Sequence, residues 1–233
     1  MKIQTRPICA NEIKLDRHFC ITNSFLAPDY IVEVGSFDGE TLKKYGSYSP
    51  YSKLIGFECN PHNYFRSCLG KPVTFMAVSN HSGVVDITVP TKRNRASNSK
   101  AYLARTAGID KSIDVVEFEK HQVPCTTLDD FFSIPISQNK TFSLIIDAEG
   151  ETWNILSGAK KLLEHTVSLK FESETRRWFE NSKLYEDIEP LVSNFYLCGH
   201  NRLPNMSDKH FQFNYYYVKD EDTYAYFGGC GAD

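Results

Sequence analysis

The sequence predicts an α/β fold built on a mostly parallel sheet. Short β-branched or aromatic runs alternate with stretches of helical spacing, the pattern of βα units. The first such run, IVEVGSFDG at 31–39, breaks into glycines at its carboxyl end, where open sheets of this kind collect ligands. The 233 residues, 41% hydrophobic and 13% aromatic, suffice for one core, and a single domain over 1–233 is expected.

In chain order, residues 1–28 read as an N-terminal extension, followed by strands at Tyr30–Val34, Leu54–Phe57 and Val73–Val78. Asn60-Pro61 supplies a cap and a first-turn proline for a helix whose stripe, Tyr64, Phe65, Cys68 and Leu69, ends at Gly70. Lys92–Lys111, rich in Lys, Arg, Asn and Ser with little periodicity, reads as a loop or flap inserted beside the sheet. A fourth strand follows at Phe142–Ile146, then a helix over about Glu151–Glu164 with Trp153, Ile155, Leu156, Ala159, Leu162 and Leu163 on its apolar face. Val167–Phe171 is the fifth strand, and the runs at 195–198 and 211–218 close the sheet as a pair, for about seven strands in all.

Charge excludes some function classes. Lys and Arg number 26 against 29 Asp and Glu, so the net charge of −3 offers no global attraction to nucleic acid or an anionic membrane. No run approaches the length of a membrane span, and charges and a proline interrupt the first residues before any signal-like stretch; a cytoplasmic location is expected. The seven cysteines, at 9, 20, 59, 68, 125, 198 and 230, are scattered without a CxxC pair, which argues against a disulfide framework or a zinc finger.

The glycine turn is the first candidate site. Gly35 and Gly39 lie four apart with Glu33 on the strand, so the G-x-G-x-x-G of a dinucleotide fold is missing and NAD fits poorly. A tight strand-to-helix turn is the plain alternative. Glu58, nineteen residues past Gly39, ends the second strand ahead of Cys59-Asn60-Pro61. A carboxylate there offers two oxygens to a vicinal diol, as on a ribose, or equally opens the next helix.

Acid-x-Gly-x-x-x-Gly at 33–39 resembles the first motif of class I S-adenosylmethionine-dependent methyltransferases. VPCTTLDDFF (123–132) and FSLIIDAEGETWNILSGAKKLLEHT (142–166) sharpen this into a resemblance to the FkbM family of methyltransferases. It is carried by Thr127-Leu128-Asp129-Asp130, by Asp147-x-Glu149-Gly150, by Ile155-Leu156-x-Gly158-Ala159 and by Lys170-Phe171-Glu172, with IVEVG, GFECNP and AVSNHSG, over roughly 30–175. Three departures stand out: Glu33 where the family usually has Asp, Ser36-Phe37 where it has Ala-Asn, and Ile145 where it often has lysine.

The resemblance implies a Rossmann-like class I methyltransferase fold, a mostly parallel seven-stranded sheet with helices on both faces. It also implies transfer of methyl from S-adenosylmethionine to an acceptor hydroxyl, with a saccharide or glycosylated natural product as the first expectation. The cofactor contacts it implies are Glu33, Gly35, Ser36, Asp38, Gly39, Glu58, Cys59, Asn60, Asp147 and, near the adenine, Ala77, Val78 and Ser79. An alcohol is a weak nucleophile, so a carboxylate that takes its proton helps, and Asp147 and then Glu149 are the candidate bases. The same carboxylates with Glu172 are also a candidate set for Mg²⁺ or Mn²⁺ rather than zinc; helix capping is the alternative for Asp147 and Glu149. Asp129 reads as cofactor contact or structural acid, with Thr127 a helix cap.

Four of the seven histidines, His81, His121, His200 and His210, fall in expected loops without a motif. Two other functions compete. RNA ribose methylation would use Lys92, Arg93, Arg95, Lys100, Arg105 and Tyr102 along phosphates and the order Lys43 or Lys44, Asp147, Lys170, Glu172 at the hydroxyl, though the last two lie far closer than that tetrad's usual spacing. A scaffold that keeps the fold without catalysis is the other. The tyrosine-rich end, NYYYVKDEDTYAYF, reads as sugar-stacking surface or as a strand of cross-strand aromatic pairs.

Overall fold

Short, nearly continuous apolar runs in the central strands fix a sheet with two buried faces. A computed structural model describes residues 12–93, 102–103, 115–174, 183–202 and 212–229. In chain order the elements are α1 (Glu12–Leu26), β1 (Tyr30–Val34), α2 (Glu40–Tyr48), β2 (Lys53–Glu58), α3 (Pro61–Asn63, continued by a π-turn over Tyr64–Cys68), β3 (Val73–Phe75), β4 (Ala77–Val78), β5 (Gly83–Arg93), β6 (Tyr102–Leu103) and β7 (Val115–Thr126). There follow α4 (Leu128–Phe131), α5 (Ser133–Ser137), β8 (Phe142–Ile146), α6 (Thr152–Ser157), α7 (Lys160–Glu164), β9 (Thr166–Glu174), α8 (Tyr185–Ile188, then a 3₁₀ turn Glu189–Val192), β10 (Tyr196–Arg202), β11 (Gln212–Val218) and α9 (Glu221–Gly229).

The central sheet runs β10-β11-β9-β8-β1-β2-β3, with β11 antiparallel to both neighbours and the β9-to-β3 pairs parallel. Val32, Val34, Leu144, Ile146, Leu169 and Phe171 point to one face, where Leu128, Phe132, Ile155, Leu156, Leu162 and Ile188 of the helices cover them. Ile31, Ile145 and Tyr216, one residue out of phase, meet Leu15, Phe19, Leu42 and Tyr45 of α1 and α2 on the other. Each such fully buried side chain contributes roughly 1.5–3 kcal/mol of transfer free energy.

The third expected strand divides. Val73–Phe75 joins the central sheet, whereas Ala77–Val78 turns away to pair with β7 in a second sheet ordered β4-β7-β5-β6. The helix expected over Glu151–Glu164 also divides, into α6 and α7; Gly158 at the break packs so closely that a Cβ there would meet the Ser79 carbonyl oxygen at 2.5 Å and the Asn80 Cα at 3.0 Å. Of the expected flap at 92–111, Lys92 and Arg93 end β5 and Tyr102 and Leu103 form β6; the remainder, with Arg95, Lys100 and Arg105, lies outside the described residues, as do Cys9, His210 and Cys230. His121 and His200, expected in loops, stand on β7 and β10. Among the described residues no helix is long and apolar enough to cross a membrane.

Candidate active site

The turn after β1 is built around a close backbone approach. Gly35 has φ +87°, and a Cβ on it would lie 1.9 Å from the carbonyl oxygen of Asp147 at the end of β8, so only glycine fits. The Gly35 and Ser36 amides both donate to the Phe57 carbonyl at 2.9 Å, and Gly39, at φ +74°, opens α2. Between them Phe37 adopts φ +50°, a left-handed conformation that asparagine tolerates and that costs a bulky side chain roughly 1–2 kcal/mol. Two contacts hold the strained residue: its amide donates to Glu58 Oε2 at 2.8 Å, and its carbonyl accepts from the Cys68 thiol at 3.1 Å.

Glu33 is 3% exposed, and its Oε2 has no hydrogen-bond partner. Burial pushes its carboxyl up to about 8, against a hydrogen bond from Ser36. A buried orphan acceptor beside bare turn backbone fits a ligand ammonium. Lys170 on β9, in register with Ile145, lies near enough to favour the charged form of Glu33.

Glu58 ends β2 with Oε1 accepting from the Asn60 amide at 2.7 Å and Oε2 from Phe37. Burial raises its carboxyl to about 7, opposed by these two amides. The Asn63 side chain and the Cys59 amide also act on this carboxyl and favour its charged form. The Asn60 side chain caps α3 by accepting from the His62 amide at 2.9 Å, while Cys59 packs against the second sheet. Ala77, Val78 and Ser79 are all buried; the Ser79 amide donates to the Thr126 carbonyl at 3.0 Å, and its hydroxyl donates to Glu151 Oε2 at 3.4 Å. Asp38 caps the first turn of α2 by accepting from the Glu40 amide at 3.0 Å.

Past β8, Asp147 is exposed and its amide donates to the Val34 carbonyl at 2.9 Å, which fastens it beside the glycine turn. The metal set expected from the sequence regroups. Glu149 and Glu172 converge with Glu174, their oxygens within 4.8 Å of one another, and Asp147 is not among the three. Gln212 of β11 donates to Glu172 Oε1 at 2.9 Å and reaches Glu149 Oε2 at 3.5 Å. An all-oxygen set suits magnesium or manganese. Sequence reasoning missed Glu174; its signal was Glu172-x-Glu174 on one strand, since alternate residues share a face.

Asp129 takes the structural role, its two oxygens accepting from the Lys161 and Leu162 amides at 3.1 and 2.9 Å at the start of α7. Thr127 caps α4, accepting from the Asp130 amide at 3.0 Å. Lys44 and Lys170 both pair with Asp16 of α1, the latter at 2.9 Å, and the Tyr45 hydroxyl joins them. Burial pushes the Asp16 carboxyl up, but Lys170, Lys44 and Tyr45 overcome it and hold it at about 2.

The strand order, with β11 slotted antiparallel between β9 and β10, and the glycine turn on β1 define the class I S-adenosylmethionine-dependent methyltransferase fold. The chain belongs to the FkbM methyltransferase family, whose domain model, "Methyltransferase FkbM domain", matches residues 33–202. Among solved structures it is similar to an FkbM methyltransferase from Methylobacillus flagellatus KT, at 15% identity and a TM-score of 0.47 over 82% of this chain and 44% of that one. The chain thus spans less than half the length of that protein. Also similar are the N-methyltransferase NodS from Bradyrhizobium japonicum WM9 (13% identity, 91% of this chain and 98% of that one, TM-score 0.41) and an O-methyltransferase from Bacillus cereus in complex with SAH (10%, 92% and 84%, TM-score 0.37). No curated protein matches the chain.

Proposed function

We propose that this chain transfers a methyl group from S-adenosylmethionine to a hydroxyl of a saccharide or glycosylated natural product. The observation that carries the reading is the fastening of Asp147 against Gly35, which sets an exposed carboxylate beside the cofactor turn. When bound, the cofactor supplies an electrophilic methyl on a sulfonium. Glu33 receives its ammonium, Glu58 its ribose hydroxyls, and the amides of the Gly35–Gly39 turn line its path. Ser36, Asp38, Cys59, Asn60, Ala77, Val78 and Ser79 shape the rest of that pocket. Asp147 orients the acceptor hydroxyl and takes its proton as the oxygen attacks.

Glu149, Glu172 and Glu174 suit a polyol, because carboxylates accept from several hydroxyls at once, and they would also hold a magnesium-class ion that lowers a hydroxyl's pKa. The same three carboxyl groups offer a phosphate backbone no cationic partner, and Lys44 and Lys170 are engaged by Asp16, which disfavours ribose methylation of RNA.

Calorimetry with S-adenosylmethionine, then labelled methyl transfer to a panel of glycans, lipopeptides and RNAs, tests the reading. Gly35→Arg and Glu58→Ala should abolish or weaken cofactor binding, and Asp147→Asn should lower kcat by about 10²–10⁴ on a glycan acceptor. Cofactor binding without transfer to any hydroxyl acceptor, or no binding at all, refutes it; the latter points to a scaffold.

A further inference from the structure

The inward face of β7 carries a departure from its own pattern. Val123 and Cys125 are buried against Ile87, Val89, Cys59 and Phe75, as a period of two requires. Two and four residues back on the same face stand His121 and Glu119, paired in register with the buried Ile87 and Val89. Charged or polar residues on the core side of a strand need partners there. The third group comes from another layer: His62, in the first turn of α3, four residues past Glu58, points its ring at the same spot.

One ligand atom from each of His62, Glu119 and His121 lies within 4.8 Å of the other two. His62 Nε2 meets Glu119 Oε1 directly. His121 Nε2 is buried 3.0 Å from the same oxygen, within ion-pair distance but off the line of a hydrogen bond. Two imidazoles from different layers thus converge on one carboxylate oxygen, an arrangement into which a shared cation could insert. With bonds of about 2.0–2.1 Å in a tetrahedron, neighbouring ligand atoms sit roughly 3.3 Å apart, close to the His121–Glu119 spacing, whereas the exposed His62 ring has to draw back from Glu119 to admit the ion.

We propose that His62, Glu119 and His121 form a binding site for a divalent transition metal of the zinc class. Two neutral imidazoles and one carboxylate are the nitrogen-rich donor set that selects zinc or cobalt over magnesium, unlike the all-oxygen set at Glu149, Glu172 and Glu174. The exposed side of His62 leaves room for water in a fourth position. Loaded, the site clasps the second sheet onto the turn between β2 and α3, the turn that carries Glu58 and Asn60. It requires neither methyl donor nor acceptor, so its failure and that of the proposed reaction are separable.

The full chain, stripped with chelator, is titrated with Co²⁺ by visible absorption and with Zn²⁺ by competition calorimetry. One equivalent with a tetrahedral cobalt spectrum is expected. His121→Ala and Glu119→Gln should each weaken zinc binding by about 100-fold or more, since loss of an outer partner alone costs about 10–100-fold. Far-ultraviolet circular dichroism checks their fold, and His62→Gln, on a largely exposed side chain, provides a variant that leaves the core untouched. Glu172→Gln should leave zinc affinity as it is. No uptake of metal, full affinity in the His121 and His62 variants, or zinc binding lost only on Glu172→Gln would each overturn the site.

Discussion

Replacing Glu33 by glutamine should remove most of the alkaline weakness of the ligand-free fold. The carboxyl is buried with one orphan oxygen and sits at about 8 rather than the ordinary 4.5. The folded chain thus holds a proton that the unfolded chain releases, so this contribution is complete below pH 4.5 and is lost as pH rises through about 8. At about 1.36 kcal/mol per pH unit, the full gap is worth on the order of 5 kcal/mol, of which about 2–3 kcal/mol falls between pH 6 and pH 9. Urea unfolding at these two pH values, with the slope m held common, measures it. The wild-type protein should lose that much stability and Glu33→Gln should not. Glu58, raised to about 7, leaves a smaller alkaline slope in both. An ammonium brought to Glu33 by the methyl donor should also expel on the order of one proton at pH 7 from the wild type and none from the variant, read by calorimetry in two buffers. Identical pH dependence in the two proteins would refute the assignment of Glu33 as a buried neutral acid.

Other substitutions separate binding from architecture. Gly35→Ala places a methyl 1.9 Å from the Asp147 carbonyl and should cost at least about 2 kcal/mol in denaturant unfolding while abolishing cofactor binding. Phe37→Asn relieves the left-handed strain and should raise stability by about 1 kcal/mol, seen as a higher melting temperature. Asp129→Ala uncaps α7 and should cost about 1 kcal/mol with donor affinity unchanged in calorimetry. The Asp16 carboxyl, held at about 2, adds stability present above its ordinary 3.8 and lost as pH falls through 2; Asp16→Asn should flatten acid unfolding followed by circular dichroism over that window.

Legibility followed sequence separation. The central strands could be read because each buries both faces in one short apolar run, and Asn60 and Thr127 because a cap signal is local. β5 and β7 escaped, although VVDITV alternates with a period of two: the strand that completes the pattern begins more than twenty residues later, past a polar stretch that reads as loop. The glycine turn after β1 was visible as spaced glycines and acids. The carboxylate cluster was half legible: Glu172-x-Glu174 is a local pattern on one strand, whereas Glu149 comes from the turn after β8 and Gln212 joins only through the β9–β11 pairing. The role of Asp129 lay beyond sequence too, since its partners, Lys161 and Leu162, come from a separate helix.

The late insertion of β11 bears on how the chain is made. During synthesis everything through β10 leaves the ribosome first, yet among the described residues β10 pairs with β11 alone and β9 has only β8 beside it until residues 212–218 arrive. For that interval two strands present open edges, the template on which neighbouring nascent chains associate. Protein stopped short of residue 212 should therefore collect in inclusion bodies, even though the strands of its glycine turn are already complete.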